Sequence, residues 1–123
     1  MIIALNHKCN MTKDEYIEYI DKLSNINTYH KLIVCPSFTN ISHTPSNIIV
    51  GAQNVCSTGE GAYTGEISAK QLSSYNVTYT IVGHSERRNI ESLEEVNNKV
   101  IELFNNNITP ILCIGETEEE RKD

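Results

Sequence analysis

Five short apolar runs, Ile2 to Leu5, Leu32 to Cys35, Ile48 to Ala52, Tyr79 to Val82 and Ile111 to Ile114, recur along the chain with polar stretches between them. A half-solvated strand would alternate, whereas these runs are nearly continuous and too short for buried helices, so they predict strands covered on both faces. Helix-start signals follow four of the five, each a Ser or Thr with Glu or Gln three residues on: Thr12/Glu15, Ser68/Gln71, Ser92/Glu95 and Thr117/Glu120. In such a box the hydroxyl accepts from an orphan N–H of the first turn while the longer side chain reaches back to the cap's own N–H. Between Pro36 and Asn47 only about a dozen residues are available for a crossover between parallel strands, near the lower limit, so a short or irregular helix is expected there.

The helix opening after Ser92 should place Leu93, Val96, Val100, Leu103 and Phe104 on one stripe facing a sheet, and the helix after Thr12 does the same with Tyr16, Ile20 and Leu23. Strand and helix alternating in this order imply a parallel sheet with right-handed crossovers. Periodicity goes no further, because an open doubly wound sheet and part of a closed eight-stranded barrel share this local pattern. Within residues 1–123 no compositional break or low-complexity linker appears, so one domain is expected.

A net charge of −6 spread along helix-like segments argues against a nucleic-acid surface, which needs a basic stripe. No apolar run approaches the roughly 20 residues of a membrane span, and the start, MIIALNHK, has no basic leader, so a cytoplasmic location is expected. The cysteines Cys9, Cys35, Cys56 and Cys113 form no C-x-x-C pair, which predicts reduced thiols and no metal site, with Cys113 a small core residue of its strand. The N-x-S/T triplets at Asn10, Asn40, Asn76 and Asn107 are read as Asn-rich composition and not as glycosylation sites.

Chemistry concentrates in Thr80 to Arg88, TIVGHSERR. A buried strand ends at Gly83, an imidazole follows at its carboxyl-terminal tip, and Ser85-Glu86 suits the opening of a helical turn. A histidine facing the positive end of a helix is held as a neutral donor, able to polarise a carbonyl. The glycine-bearing loop from Gln53 to Glu66 fits neither the G-x-x-x-x-G-K-S/T pattern nor a dinucleotide fingerprint. His7, His30 and His43 are read as structural or exposed.

The Gly-His-Ser-Glu-Arg-Arg segment closely resembles the signature of the triosephosphate isomerase family. Gly51-Ala52-Gln53-Asn54, Gly61 to Ser68 (GAYTGEIS) and Pro110 to Thr117 (PILCIGET) resemble further family blocks, in family order. The resemblance runs the length of the chain. It implies an α/β fold, a (β/α)8 TIM barrel here incomplete at about five parallel strands, with the site at the carboxyl ends of the strands. It implies His84 as the electrophile, Lys8 as the cation beside the substrate oxygen and phosphate, and Asn6 as a polar substrate contact. Glu86 would orient Lys8, with Ser85 beside it as support, and Thr64 would reach into the site of a second subunit in a homodimer. The family is the standard example of a glutamate base working with a neutral histidine. The substrate implied is a small triose phosphate, interconverted between glyceraldehyde 3-phosphate and dihydroxyacetone phosphate in glycolysis and gluconeogenesis, with no cofactor, metal, nucleic acid or membrane. Position 7, commonly an aromatic and often tryptophan in the family, is His7 here.

No stretch of residues 1–123 resembles the family's catalytic glutamate, closing loop or Gly-rich phosphate loops, so this polypeptide alone is expected not to turn over triose phosphate. An incomplete barrel leaves two unpaired strand edges, which predicts aggregation or assembly with another chain. Two other classes compete with an isomerase: a noncatalytic paralogue acting as an assembly or binding module through the Gln53 to Glu66 loop, and an open sheet binding a nucleotide. The latter needs a Gly-rich turn after the first strand, where the chain reads Asn-His-Lys-Cys-Asn-Met.

Overall fold

Thr12 accepts from the Glu15 N–H while the Glu15 carboxylate takes the Thr12 N–H, and this reciprocal cap opens helix α1, Lys13–Ser24, in the computed structural model, which describes residues 1–122. The Ser68/Gln71 box is equally complete and opens α3, Ala69–Ser74. Thr117 and Glu120 exchange the same pair of bonds ahead of α5, Glu118–Lys122. At the start of α4, Leu93–Asn105, only half of the box forms: Ser92 accepts from Glu95, but the Glu95 carboxylate meets the Ser92 hydroxyl instead of its backbone N–H. The expected short connection contains a single turn, α2, Phe38–Ile41.

Two helices end on asparagines in the left-handed region, Asn76 at φ 62° and Asn107 at φ 59°. Val77 then donates back to the Leu72 carbonyl and Ile108 to that of Leu103, and both pairs lie in one apolar cluster. This six-to-one closure with its apolar clasp explains why asparagine, which tolerates φ > 0, stands at both places.

Between the helices run β1 (Ile2–Asn6), β2 (Lys31–Cys35), β3 (Ile49–Ala52), β4 (Tyr79–Val82) and β5 (Thr109–Leu112), all parallel and paired in chain order. They curl into an incomplete barrel. One face of the sheet packs Ile33, Cys35 and Ile81 with Ile49, Tyr79 and Ile111. The other is covered by the helices, with Val34 under Tyr16 and Ile20, and Val50, Ala52 and Val82 under Leu72 and Leu103. Burial on both sides is why these runs are continuously apolar.

The fifth strand, expected over Ile111 to Ile114, runs two residues earlier, Thr109–Leu112, and takes in Pro110. Its Thr109 and Cys113 amides still donate to Thr78 and Val82, and the edge position lets a residue without an N–H join the ladder. Cys113 lies against the Ile33 and Ile81 cluster but is only half-buried. The α4 stripe is also narrower than predicted. Leu103 is sealed and Val96 and Val100 are partly covered, whereas Leu93 and Phe104 are exposed because they lie on the flank of the helix, away from the side that meets the sheet.

Gly51 is a packing requirement of β3. A Cβ there would stand 2.7 Å from the Cys35 sulfur and 3.2 Å from the Tyr79 carbonyl oxygen. Gly51→Ala is expected to destabilise the fold by about 1–3 kcal/mol through overpacking, read as a lower urea midpoint at unchanged slope.

Candidate functional site

Beyond β1 the chain turns sharply at Lys8, whose φ of 55° places a non-glycine residue in the left-handed region. That conformation costs on the order of 1–3 kcal/mol unless its surroundings enforce it. Here three strand tips do so. The Lys8 N–H donates to Asn6 Oδ1 at 2.9 Å, and its carbonyl accepts from Gln53 Nε2 at 2.8 Å and from Ser37 Oγ at 3.1 Å. Gln53 donates its other amide hydrogen to the Cys35 carbonyl at 3.0 Å, tying the tips of β1, β2 and β3 together.

At the end of β4, Gly83 takes φ 68° and turns the next residue, His84, out of the strand. The ring accepts at Nδ1 from the Glu86 N–H at 3.1 Å, so a neutral imidazole carries its hydrogen on Nε2, free to face a ligand. One Glu86 oxygen also lies 3.4 Å from Nδ1; with the backbone N–H already donating there, it faces a lone pair and adds no hydrogen bond to the neutral ring. The other Glu86 oxygen accepts from Lys8 Nζ at 3.4 Å. Both side chains of that pair are more than half exposed, at 53% and 57%, so it orients the ammonium more than it stabilises the fold.

Lys8, His84 and Asn6 thus share one open cavity of about 360 Å³, with Gln53, Glu86 and Ile81 in its wall. Ser85 sits in the 3-10 turn Ser85–Arg87 outside this lining, and Thr64 is exposed in the β3 to α3 loop, also away from it. Among the described residues no group of His, Cys, Asp and Glu is arranged to hold a metal ion. Cys35 is buried, which pushes its thiol up to about 12 and leaves it inert near neutrality.

His7 stands where the resemblance implies an aromatic, often tryptophan. Its ring meets Tyr19 edge-on at 4.5 Å and Tyr16 at 5.8 Å, filling the gap between the end of β1 and α1. Both ring nitrogens are shielded and have no hydrogen-bond partner among the described residues, and this loss of hydration holds the imidazole below its ordinary pKa of 6.5. The unfolded ring therefore takes up a proton before the folded one does. Stability from this source is complete above the unfolded value and falls as pH drops below it. The urea midpoint is expected to decline from pH 6.5 downward in the parent chain and to stay flatter over that interval in His7→Phe.

Residue types alone did not single out Gln53, Ser37, Arg88, Glu91 or Lys99. Gln53 stands inside a recognised block, but its task depends on where three strand tips meet. Glu91 and Lys99 form an ion pair with only 2% and 6% of their side chains exposed, and Lys99 also donates to Asn54 Oδ1 at 2.9 Å. Their separation of eight residues is a weak pairing signal, since Glu91 precedes the helix that carries Lys99.

Parallel β/α units paired in chain order define an incomplete TIM barrel, with the candidate site among the polar side chains at the strands' carboxyl ends. A family model for triosephosphate isomerase matches residues 1–123. The chain is 40% identical to the triosephosphate isomerase of Clostridium perfringens (strain SM101 / Type A) over 131 aligned positions, covering 99% of this chain and 53% of that protein. It is 43% identical to that of Clostridium botulinum (strain ATCC 19397 / Type A), with 98% and 52% covered, and 39% identical to that of Clostridium beijerinckii, with 99% and 53% covered. The chain belongs to the triosephosphate isomerase family, and it spans about half the length of the curated relatives it matches.

Proposed function

We infer that the chain forms the N-terminal part of a single-domain triose-phosphate isomerase and supplies the electrophilic half of its site. Moving a proton between adjacent carbons of a triose phosphate passes through an enediolate, whose two oxygens need fixed donors and positive charge. His84 Nε2–H is the neutral donor to those oxygens, Lys8 is the cation that faces oxygen and phosphate, and Asn6 is a polar contact that also holds Lys8 in place. Glu86 steers the ammonium and accepts no proton from carbon, because its carboxylate is engaged with Lys8. The base that takes the carbon-bound proton belongs to the half of the protein that lies beyond this span in its relatives. The complete protein acts without a cofactor, in the cytoplasm, as a homodimer in which Thr64 approaches the neighbouring subunit's site.

The observation that carries this reading is the convergence of Lys8 and His84 on one cavity through Glu86, whose carboxylate accepts from Lys8 and whose backbone N–H donates to His84 Nδ1. It is tested by continuing residues 1–123 with the second half of the Clostridium perfringens relative and assaying glyceraldehyde 3-phosphate isomerisation. Turnover well above background supports the reading; a folded, dimeric product without turnover contradicts it.

A further inference from the structure

Arg88 lies four residues past the candidate electrophile and outside the cavity lining, yet each of its three guanidinium nitrogens donates to a backbone carbonyl. Nε donates to the Gly83 carbonyl at 3.1 Å, Nη2 to that of Cys113 at 2.9 Å, and Nη1 to that of Gly115 at 2.9 Å. The first acceptor belongs to the peptide that leads into His84, at the left-handed glycine where β4 turns outward. The other two belong to the stretch just after β5, where the last rung of the ladder is the Cys113 N–H donating to Val82 at 2.9 Å. Three carbonyls from two adjacent strand tips therefore converge on one planar cation.

We propose that Arg88 is a positioning residue for His84, a brace that fixes the Gly83–His84 peptide against the tip of β5 and thereby sets the direction of the imidazole. The proposal rests on the isomerase reading for its purpose, though the brace itself is a property of this chain. Geometry explains the residue type. A guanidinium presents donors in a rigid fork that reaches three separated acceptors at once, whereas an ammonium at the end of a flexible stem cannot hold the same three positions. Gly83 is free to rotate, so without the brace nothing in the strand itself fixes the peptide plane that aims the ring. Within the turn, the Arg87 N–H donates to the His84 carbonyl at 2.8 Å and the Arg88 N–H to the Ser85 carbonyl at 3.4 Å, so the turn closes on itself and the Arg88 side chain ties it to the tip of β5.

The test uses the whole chain and compares the parent with Arg88→Met and Arg88→Lys by nitrogen-15 NMR. Two signals are read: the His84 ring nitrogens, at a pH where the imidazole is neutral, and hydrogen exchange at the Cys113 amide. In the parent, Nδ1 should be an acceptor and the hydrogen should reside on Nε2. Arg88→Met should produce a mixture of ring tautomers and roughly tenfold faster Cys113 exchange, while the Tyr16 amide of α1 keeps its protection. Arg88→Lys should resemble Arg88→Met, because charge without the fork does not restore the three bonds. An unchanged His84 ring in Arg88→Met would overturn the proposal, as would full rescue by lysine. Equal acceleration at Tyr16 would also overturn it, since that marks a general loss of stability. Absence of isomerase turnover in the joined protein would sink the functional reading and leave these signals to judge the brace.

Discussion

Lys99→Met is expected to destabilise the chain by about 3–5 kcal/mol, the usual cost of leaving one member of a buried ion pair without its partner. Lys99 reaches from α4 to two acceptors, the Glu91 carboxylate and Asn54 Oδ1, in a place nearly closed to water. Without the ammonium, Glu91 would be a buried carboxylate whose Oε1 has no hydrogen-bond partner among the described residues. Arg87 offsets only part of that charge. Its Nε lies 3.6 Å from the other Glu91 oxygen without forming a hydrogen bond, although it counts as an ion pair by distance. Removing both charges in Glu91→Leu/Lys99→Met should cost much less than removing one, because the penalty comes from the orphaned charge and not from the absent attraction. Urea unfolding of the two single variants and the double variant checks this. Near-equal losses in Lys99→Met and the double variant would contradict it.

The same pair bears on the site. Asn54 follows Gln53, whose amide holds the strained Lys8 carbonyl, so Lys99 anchors the strand tip on which the lysine's conformation depends.

In the protein completed by the second half of the Clostridium perfringens relative, His84→Ala is expected to lower kcat on the order of 10²–10⁴-fold while changing KM far less. A donor aimed at a developing oxyanion contributes more to the transition state than to the bound substrate. Lys8→Ala should differ in kind and raise KM as well, because the proposed role of its ammonium is to meet the phosphate already present in the ground state. Steady-state isomerase kinetics separate the two. Equal effects of both substitutions on KM alone would remove His84 from the chemistry.

Much of this architecture was legible in the chain because it is local. The capping boxes at Thr12, Ser68 and Thr117 form as their three-residue spacing requires, since a cap involves only the first turn of its own helix. The apolar runs became strands because length and continuity suffice to mark a segment buried on both faces. The fifth strand was placed two residues late because its apolar run continues past Leu112 to Ile114, while its start at Thr109 and Pro110 depends on an edge position that only the sheet order reveals. Leu93 and Phe104 were assigned to a buried stripe because a helical repeat gives the angle between side chains but not the width of the surface they meet.

For the site, strand-tip placement and family blocks pointed to His84, Lys8 and Asn6. The residues that hold them were not legible. Gln53 donates across to Lys8 and Cys35, and Arg88 spans from Gly83 to Gly115; these roles exist only once distant tips lie side by side. His7 is the mixed case. Its departure from the family pattern was visible, but only the two tyrosines around it reveal that it serves as an apolar filler.

The most direct measurement is a crystal structure of the completed protein holding dihydroxyacetone phosphate. The account requires His84 Nε2 within hydrogen-bond distance, about 2.6–3.2 Å, of a ligand oxygen on the reacting carbons, with Lys8 Nζ on the same molecule. A ligand seated in the groove between Phe38 and Tyr75, or bound at the strand tips with the His84 ring turned away, would contradict it.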